Sequence, residues 1–366
     1  MTDQSAPALK EIFNVERLQH IASEMSAVYP KFDAKGFLKH ASAGLDELSV
    51  LQRMARVSES LHAVIRLDYA QTLELLYALA PRLNSSFVSL FLPHYVASYG
   101  LDDFERSMAA LKYFTTFGSA EFAIRPFLLR DLPRTLAVMQ TWSLDDNDHV
   151  RRLASEGSRP RLPWSFRLTE IQANPELCAS ILDNLKADPS LYVRKSVANH
   201  LNDITKDHPD WVLTLIEGWS LANPHTAWIA RHALRSLIKQ GNTRALTIMG
   251  AGAKAEVKIH QLSVTPAVIN LGERISLSFN LESTADTAQK LVVDYAIDYV
   301  KSAGHSAKKV FKLKAFTLGA GEQQSIRREQ HIRELTTRKH YPGRHAVHVL
   351  VNGEKLASAE FELLKP

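Results

Sequence analysis

Cysteine is almost absent from this 366-residue chain. Cys178 is the only one, which excludes an internal disulfide and any zinc site built from several thiolates. A single thiol is typical of proteins in a reducing compartment, so we expect a cytoplasmic location. No apolar run approaches the roughly 18 residues of a membrane span, and the first residues do not join a basic segment to an apolar one. We therefore expect no membrane partner and no secretory signal.

Common catalytic signatures are missing as well. The chain has no Walker phosphate loop, no G-x-G-x-x-G, no H-E-x-x-H and no G-x-S-x-G. Its 15 histidines are scattered, and we interpret His200 and His208 as surface or turn residues because neither has two further metal ligands nearby in sequence. We expect no metal and no other cofactor. The absence of these generic motifs, taken alone, favours a binding protein over an enzyme.

The net charge is small and unevenly distributed. Residues 1–250 contain 27 basic and 27 acidic side chains, and residues 251–366 contain 17 and 12, so the second part carries the whole net charge of +5. A neutral region still presents a basic face when its acidic side chains lie elsewhere. Net charge alone therefore does not identify the partner.

The pattern of apolar residues changes once along the chain. In the first part they recur at spacings of three and four, which predicts roughly a dozen amphipathic helices. From Glu256 onward apolar and polar residues alternate and Val, Ile and Phe are frequent, as in about seven short strands. We predict a mainly α protein with a HEAT-like helical solenoid at 1–250 and an immunoglobulin-like β-sandwich at 256–366. Residues 251–255 would be the linker.

The helical part contains an internal repeat. Val150, Val193 and Ile229 each begin an amphipathic helix after a turn rich in Pro or Asp, and they lie 43 and 36 residues apart. Helical solenoids of the HEAT type have such a period, because each helix pair buries its apolar face only by stacking on the next. Stacking of this kind also builds an extended concave surface.

Basic residues recur two positions after these three anchors. Arg152, Lys195 and Arg231 occupy that position, and Arg235 lies one helical turn beyond the last of them. A solvated polar face is ordinary in a solenoid and explains any one of these residues equally well. Three cations at the same level suit regularly spaced phosphates, so the set as a whole favours a polyanion.

Two segments of the helical part carry a specific resemblance to a known family. HVRRLASEGSRPRLPW at 149–164 and SLYVRKSVANHLNDITKDHPDWV at 190–212 closely resemble the AlkC group of bacterial DNA alkylation repair glycosylases, relatives of the AlkD group. AlkC-type proteins with a C-terminal immunoglobulin-like domain have the same order of parts, so the resemblance extends over nearly the whole chain. It implies a cofactor-free, monomeric, monofunctional hydrolase in the bacterial cytoplasm, associated with the nucleoid when bound to DNA. The implied substrates are cationic alkylated bases in duplex DNA, chiefly N3-methyladenine and N3-methylcytosine.

The chemistry of such a substrate makes few demands on the protein. A base with a fixed positive charge is already a good leaving group, so no strong general acid is needed. The protein must stabilise the oxocarbenium ion that develops on the sugar and must position a water, and a carboxylate supplies both functions. An aromatic face attracts the same positive charge by roughly 0.5–2 kcal/mol.

The resemblance assigns these functions to three residues, and the repeat alignment adds a fourth. Asp203 would be the main carboxylate and Glu121 a second negative charge. Trp164 would pack against the deoxyribose, and Glu156 is a supporting candidate because the aligned repeats place it one turn before the level of Asp203. The three residues from the resemblance each have an ordinary alternative: a core anchor for Trp164, a polar-face acid for Asp203, and for Glu121 a charge beside a helix cap.

Further residues are candidates for DNA contacts. The predicted phosphate contacts are the basic residues of the repeats and of the turn after the first: Arg152, Arg159, Arg161, Lys195, Arg231 and Arg235. In the β part, two basic segments predicted as loops, 301–309 and 333–344, are candidates for the same partner, although a solvated loop without a function is equally compatible with each. A non-catalytic solenoid that binds damaged DNA or a protein partner is the alternative function, and an RNA-binding repeat protein is a third.

The salt dependence of binding separates these partners. Six phosphate contacts predict that affinity for duplex DNA falls roughly a thousandfold between about 50 and 200 mM salt, because each contact releases condensed counterions. Fluorescence anisotropy of a labelled duplex measures this dependence. An affinity that hardly changes over the same range would contradict the polyanion assignment and favour a protein partner.

Overall fold

A computed structural model describes residues 9–251, 254–302, 304–334 and 339–364. Sixteen α-helices lie within these residues: α1 (Val15–Val28), α2 (Ala34–Ser42), α3 (Val50–Val64), α4 (Tyr69–Leu79), α5 (Phe91–Tyr99), α6 (Phe104–Phe114), α7 (Arg125–Arg130), α8 (Leu132–Trp142), α9 (Asp148–Gly157), α10 (Thr169–Ala173), α11 (Ala179–Asn184), α12 (Leu191–Ile204), α13 (Pro209–Glu217), α14 (Pro224–Ala233), α15 (Arg235–Lys239) and α16 (Thr243–Ile248). None of them is long and apolar enough to cross a membrane.

Eight strands follow the helices in the described part of the chain: β1 (Val257–Thr265), β2 (Val268–Ile269), β3 (Arg274–Ser283), β4 (Gln289–Val300), β5 (Ser306–Leu318), β6 (Gln323–His331), β7 (Gly343–Val351) and β8 (Glu354–Leu363). One sheet has the order β1-β3-β6 and the other the order β2-β8-β7-β4-β5. Only the two-residue β2 pairs in parallel, with β8; the other pairs are antiparallel. Inward residues of both sheets, such as Leu277, Phe279 and Val349, form one buried core. The predicted immunoglobulin-like sandwich is confirmed, with β2 as one strand more than the alternation indicated.

The three repeat anchors lie where a solenoid core requires them. Val150 is 1% exposed, and Val193 and Ile229 are fully buried. Their helices pack in the order in which they occur along the chain: α9 packs against α12, and α12 packs against α14. The predicted helical solenoid is therefore confirmed.

The arginine directly after an anchor has a structural function in two of the repeats. Arg151 donates hydrogen bonds to the carbonyls of Asp145 (2.9 Å) and Asp146 (2.8 Å), in the turn before its own helix. Arg194 does the same one repeat later, with the carbonyls of Asp188 (2.9 Å) and Pro189 (2.7 Å). Both arginines thereby satisfy carbonyl groups of a turn that precedes a helix. The repeated Val-Arg pair thus stabilises each of these two repeats. The basic residue that follows the pair, Arg152 or Lys195, is the one that points to another function.

Contacts divide the chain into two compact units. The first comprises Met1–His208 and Trp219–Ala233, and the second comprises Pro209–Gly218 and Leu234–Pro366. Helices α13, α15 and α16 therefore group with the β-sandwich, whereas the predicted limits of 1–250 and 256–366 follow the type of secondary structure alone. The two basic segments of the β part, predicted as loops, each overlap a strand: residues 306–309 belong to β5, and residues 343–344 belong to β7. Residues 303 and 335–338 lie outside the described residues.

In the second unit, the five-stranded sheet is covered on the face that points away from the sandwich core. Ala296 and Leu350 alternate with core residues of β4 and β7, yet they are at most 2% exposed. Asp294 on the same face is 5% exposed, and burial raises its pKa to about 6 against the opposing effect of Lys312 and Lys239. Since Lys239 is the last residue of α15, the helical segment of this unit lies near this face.

One tight contact in this unit can be tested by substitution. Gly353 closes the β7–β8 hairpin with φ +79°, and a Cβ atom there would lie 2.4 Å from the Cα of Gly241. Gly353→Ala combines a left-handed conformation, which costs about 1–2 kcal/mol, with a backbone clash of about 1–3 kcal/mol. We expect the free energy of unfolding in urea to fall by about 2–5 kcal/mol.

Gly321→Ala is the matched control. Gly321 has φ +66° and nothing within 4 Å of the position of a Cβ atom, so only the conformational cost applies. If the two variants lose equal stability, the close approach of Gly241 to Gly353 is contradicted.

Candidate active site

The segment after α9 carries several of the predicted site residues. Pro160 and Pro163 prevent helical continuation, and Ser158 ends the helix by donating from its hydroxyl to the carbonyl of Ala154 (2.7 Å). The chain then turns through residues 158–168, which we call the site loop, before α10 begins. Its residues Arg159, Arg161 and Trp164 are three of the predicted functional residues.

Arg159 joins two of the predicted carboxylates. Its Nε atom donates to Asp203 Oδ2 (2.9 Å), and its Nη1 atom donates to Glu156 Oε1 (2.6 Å). Glu156 and Asp203 are each 5% exposed, and Arg159 is 7% exposed. Burial opposes the charge on Arg159, but the two carboxylates outweigh it, so its pKa is raised. Charges this deeply buried are stable only when paired, so the three side chains hold one another in a single arrangement.

Arg152 joins the third carboxylate to this group. Its Nη1 atom pairs with Glu121 Oε2, and its Nη2 atom lies 3.6 Å from Glu156 Oε1. The Ser119 hydroxyl donates to Glu121 (2.6 Å) and accepts from Arg152 (2.6 Å). The Glu121 carboxylate is therefore held by side-chain contacts within the site. No helix begins at Ser119 in the described chain, so the helix-cap alternative for Glu121 is wrong.

These residues form part of the lining of an open cleft of about 490 Å3 in the first unit. Glu121, Glu156, Arg152 and Arg159 line it together with Trp164. Asp203 does not line the cleft itself and is connected to it through its ion pair with Arg159. Lys206 contacts the other carboxylate oxygen of Asp203 at 3.1 Å. The structure therefore brings together all four predicted catalytic residues.

Trp164 lies at the cleft and outside the core. Its side chain is 61% exposed, and its backbone has φ +65°, a left-handed conformation that costs a non-glycine residue about 1 kcal/mol or more. The alternative of a core anchor is therefore wrong. A strained backbone that presents a large ring to solvent indicates a binding function.

The predicted phosphate contacts fall into two groups. Arg152 and Arg159 are paired with carboxylates and have side chains only 14% and 9% exposed. Arg161 is paired with Asp207 through three hydrogen bonds of 2.7–3.0 Å. Lys195 and Arg231 are exposed and form no ion pair within the described residues. Arg235 is half-buried and belongs to the second unit.

Comparison with known proteins places the chain in a family. Residues 98–237 match the model of the DNA alkylation repair enzyme family, and residues 258–365 match the C-terminal Ig-like domain of the uncharacterised protein YhaZ. The Bacillus subtilis (strain 168) protein "Uncharacterized protein YhaZ" is 41% identical over 356 residues, which cover 97% of this chain and 99% of that protein.

A solved structure is more similar still. Pseudomonas fluorescens alkylpurine DNA glycosylase AlkC, bound to DNA containing an abasic site analog, is 87% identical with a TM-score of 0.96, covering 98% of this chain and 100% of that chain. The chain belongs to the AlkC family. The resemblance read from residues 149–164 and 190–212 is thus confirmed.

The AlkC-family cleft contains aromatic residues that sequence reasoning missed. Among the aromatic residues the sequence assigned a function to Trp164 alone, yet Phe87, Phe117, Phe122 and Tyr192 line the cleft with it. The rings come from distant segments of the chain, so no local pattern joins them.

One signal was available in the aligned repeats. The residue before each anchor carries a ring: His149, Tyr192 and Trp228. The His149 and Tyr192 rings are 5.4 Å apart, and the Arg152 guanidinium lies 4.7 Å from the Tyr192 ring. In this chain the position before the anchor therefore places two rings, His149 and Tyr192, at the cleft.

His200 is the clearest error of the sequence interpretation. It is fully buried in α12, and its Nδ1 atom lies 3.0 Å from the Ser155 carbonyl on the neighbouring α9. Burial lowers its pKa to about 3, and the positive charge of Arg159 contributes in the same direction. A neutral histidine therefore packs behind the ion pairs of the site. His208 is half-buried, with its Nε2 atom 2.9 Å from the Gln172 carbonyl.

The buried His200 predicts a pH dependence of stability. Its pKa is about 3 in the folded chain and about 6.5 when unfolded, so the unfolded chain binds the additional proton as the pH falls below 6.5. Stability is therefore complete above that pH and falls as the pH decreases towards 3, by about 2 kcal/mol at pH 5. Urea unfolding at pH 7 and pH 5 measures this change. The decrease in stability between pH 7 and pH 5 should be much smaller for His200→Gln than for the wild type, and unchanged for the exposed His40→Gln. The same decrease in all three proteins would contradict the assignment.

Proposed function

We propose that this chain is a monofunctional DNA glycosylase that removes cationic alkylated bases, N3-methyladenine and N3-methylcytosine, from duplex DNA. The observation that carries the proposal is the open cleft in which Glu121 and Glu156 are held by arginines beside the exposed Trp164. The family model of a DNA alkylation repair enzyme, and the 87% identical AlkC, described as an alkylpurine DNA glycosylase bound to DNA containing an abasic site analog, support it.

The reaction needs only hydrolysis at one carbon. The bond between C1′ and the base nitrogen breaks, and its electron pair neutralises the positive charge of the departing base. C1′ is left as part of an oxocarbenium ion. A water oxygen then adds to C1′ and releases a proton, which leaves an abasic site. The protein accelerates the first step by placing negative charge where positive charge develops.

Glu121 and Glu156 are placed to act directly, because both line the cleft. Arg152 and Arg159 reduce the negative potential of these carboxylates but fix their orientation, so no reorganisation is needed when the sugar becomes positive. Asp203, predicted from the resemblance as the main carboxylate, is joined to the cleft through Arg159, which it holds in place. Its direct contact with the sugar or with the water stays a prediction.

The aromatic side chains of the cleft supply a second interaction with the substrate. Trp164 offers an exposed face on which a deoxyribose with developing positive charge can pack. Lys195 and Arg231, exposed on successive repeat helices, are the best-placed phosphate contacts. Arg152, Arg159 and Arg161 would contact phosphate only by exchanging their carboxylate partners. We propose that a monomer binds the duplex without a cofactor.

Base release from methylated duplex DNA tests the proposal. We expect the wild-type chain to release N3-methyladenine and N3-methylcytosine. Glu121→Gln, Glu156→Gln, Asp203→Asn and Trp164→Ala should each reduce the single-turnover rate, by about 100- to 1000-fold for the carboxylates, because charge stabilisation in the transition state is lost. Affinity for a duplex with an abasic-site analogue should change little.

Glu217→Gln is the matched control. Glu217 also pairs with an arginine, Arg244, at 2.5 Å, but it belongs to the second unit and should retain the wild-type rate. Unchanged release in all four site variants would remove the site assignment. DNA binding without any base release by the wild-type chain would favour a non-catalytic damage-binding protein.

A further inference from the structure

A fully buried arginine lies beneath the site loop. Arg125, the first residue of α7, has no exposed surface. Its Nη1 atom donates to the carbonyls of Gly157 (3.0 Å) and Arg159 (2.7 Å), and its Nη2 atom donates to the carbonyl of Phe166. The guanidinium also lies 5.2 Å from the centre of the Phe166 ring. One side chain therefore binds the site loop near both of its ends.

We propose that Arg125 is a positioning residue for catalysis, which fixes the site loop so that Arg159 orients Glu156 and Asp203 while Trp164 faces the cleft. The inference rests on the proposed glycosylase function. Arg125 does not line the cleft, so it acts through the loop and not on the substrate.

Burial of this charge is unfavourable, which indicates a specific function. Burial lowers the pKa of Arg125 to about 10, and the like charge of Arg159 adds to the effect. Within the described residues the guanidinium forms no ion pair with a carboxylate; its partners are carbonyl oxygens and a ring. An apolar side chain of similar volume would avoid the desolvation cost but would leave the three carbonyls without a donor. The charged residue is explained by the geometry that it imposes.

Only arginine fits this geometry. Its guanidinium presents five N–H donors in a rigid planar fork, which reaches carbonyls on different sides at the same time. Lysine would satisfy one or two of these carbonyls and leave the loop end at Phe166 free to move. A small displacement of a loop that carries site residues costs about 100-fold in rate.

The chain contains a matched control. Arg53 on α3 is 1% exposed and likewise donates to backbone carbonyls, those of Lys10 (3.1 Å) and Phe13 (3.2 Å). It therefore has the burial and the carbonyl contacts of Arg125, with Glu11 Oε1 at 3.4 Å in addition, but holds a segment that contributes nothing to the cleft lining. Substitution of both residues separates general stability from positioning.

The experiment compares Arg125→Met, Arg125→Lys and Arg53→Met in the full chain. Two quantities test the inference, single-turnover release of N3-methyladenine from methylated duplex DNA and amide hydrogen exchange of residues 158–168. Affinity for an abasic-analogue duplex is measured as a control. We expect Arg125→Met to release base about 100-fold more slowly, with exchange accelerated in the site loop and affinity for an abasic-analogue duplex changed less than about threefold. Arg125→Lys should be intermediate in both measurements, and Arg53→Met should match the wild type in both.

Other outcomes overturn the inference. Wild-type release by Arg125→Met, an unchanged site loop in that variant, or equal loss of release in Arg53→Met would each show that Arg125 does not position the site. If Arg125→Met does not fold, Arg125→Lys decides by the same criteria. If the wild-type chain releases no base, the proposed function fails, whereas hydrogen exchange in the site loop still tests whether Arg125 holds it.

Discussion

The ion pairs of one arginine hold the candidate active site together. Arg159 lies in a loop, yet its guanidinium is bonded to Glu156 on α9 and to Asp203 on α12. These helices belong to adjacent repeats of the solenoid, and His200 of α12 also contacts the Ser155 carbonyl of α9. Because all three side chains are almost fully buried, removing any one leaves a buried charge with fewer partners, which is destabilising. The position of the loop and the spacing of the two repeats are therefore coupled.

That coupling explains how the cleft can be both open and well ordered. Arg125 binds the backbone of the site loop from below, and Arg152 extends the ion pairs to Glu121. Neutral His200 packs behind the same group and adds no positive charge to it. Trp164 is thus held in a strained conformation by a rigid support, although its ring is largely exposed. A preorganised site of this kind suits a reaction in which little covalent chemistry is required of the protein.

Much of the fold followed from local patterns. Periodicity separated helices from strands, and the spacing of Val150, Val193 and Ile229 identified the solenoid, because both patterns reflect which side chains must be buried. The family resemblance brought Glu121, Trp164 and Asp203 to attention, and the aligned repeats added Glu156. The structure gathers Glu121, Glu156 and Trp164 at one cleft and joins Asp203 to them through Arg159. The grouping of α13, α15 and α16 with the β-sandwich had no local signal, since it depends on contacts made across the chain.

The sequence by itself determined the class of each region, the repeat, the family and the residue types of the site. Tertiary structure alone decided which arginines are paired with carboxylates, that His200 is buried, and that Trp164 faces the cleft. The physical reason is that ion pairs, burial and ring exposure depend on residues far apart in the chain, such as Arg125 with Phe166 or Arg159 with Asp203. A cation on an amphipathic helix has the same local pattern whether it contacts a phosphate or a buried carboxylate, and only its neighbours in space distinguish the two.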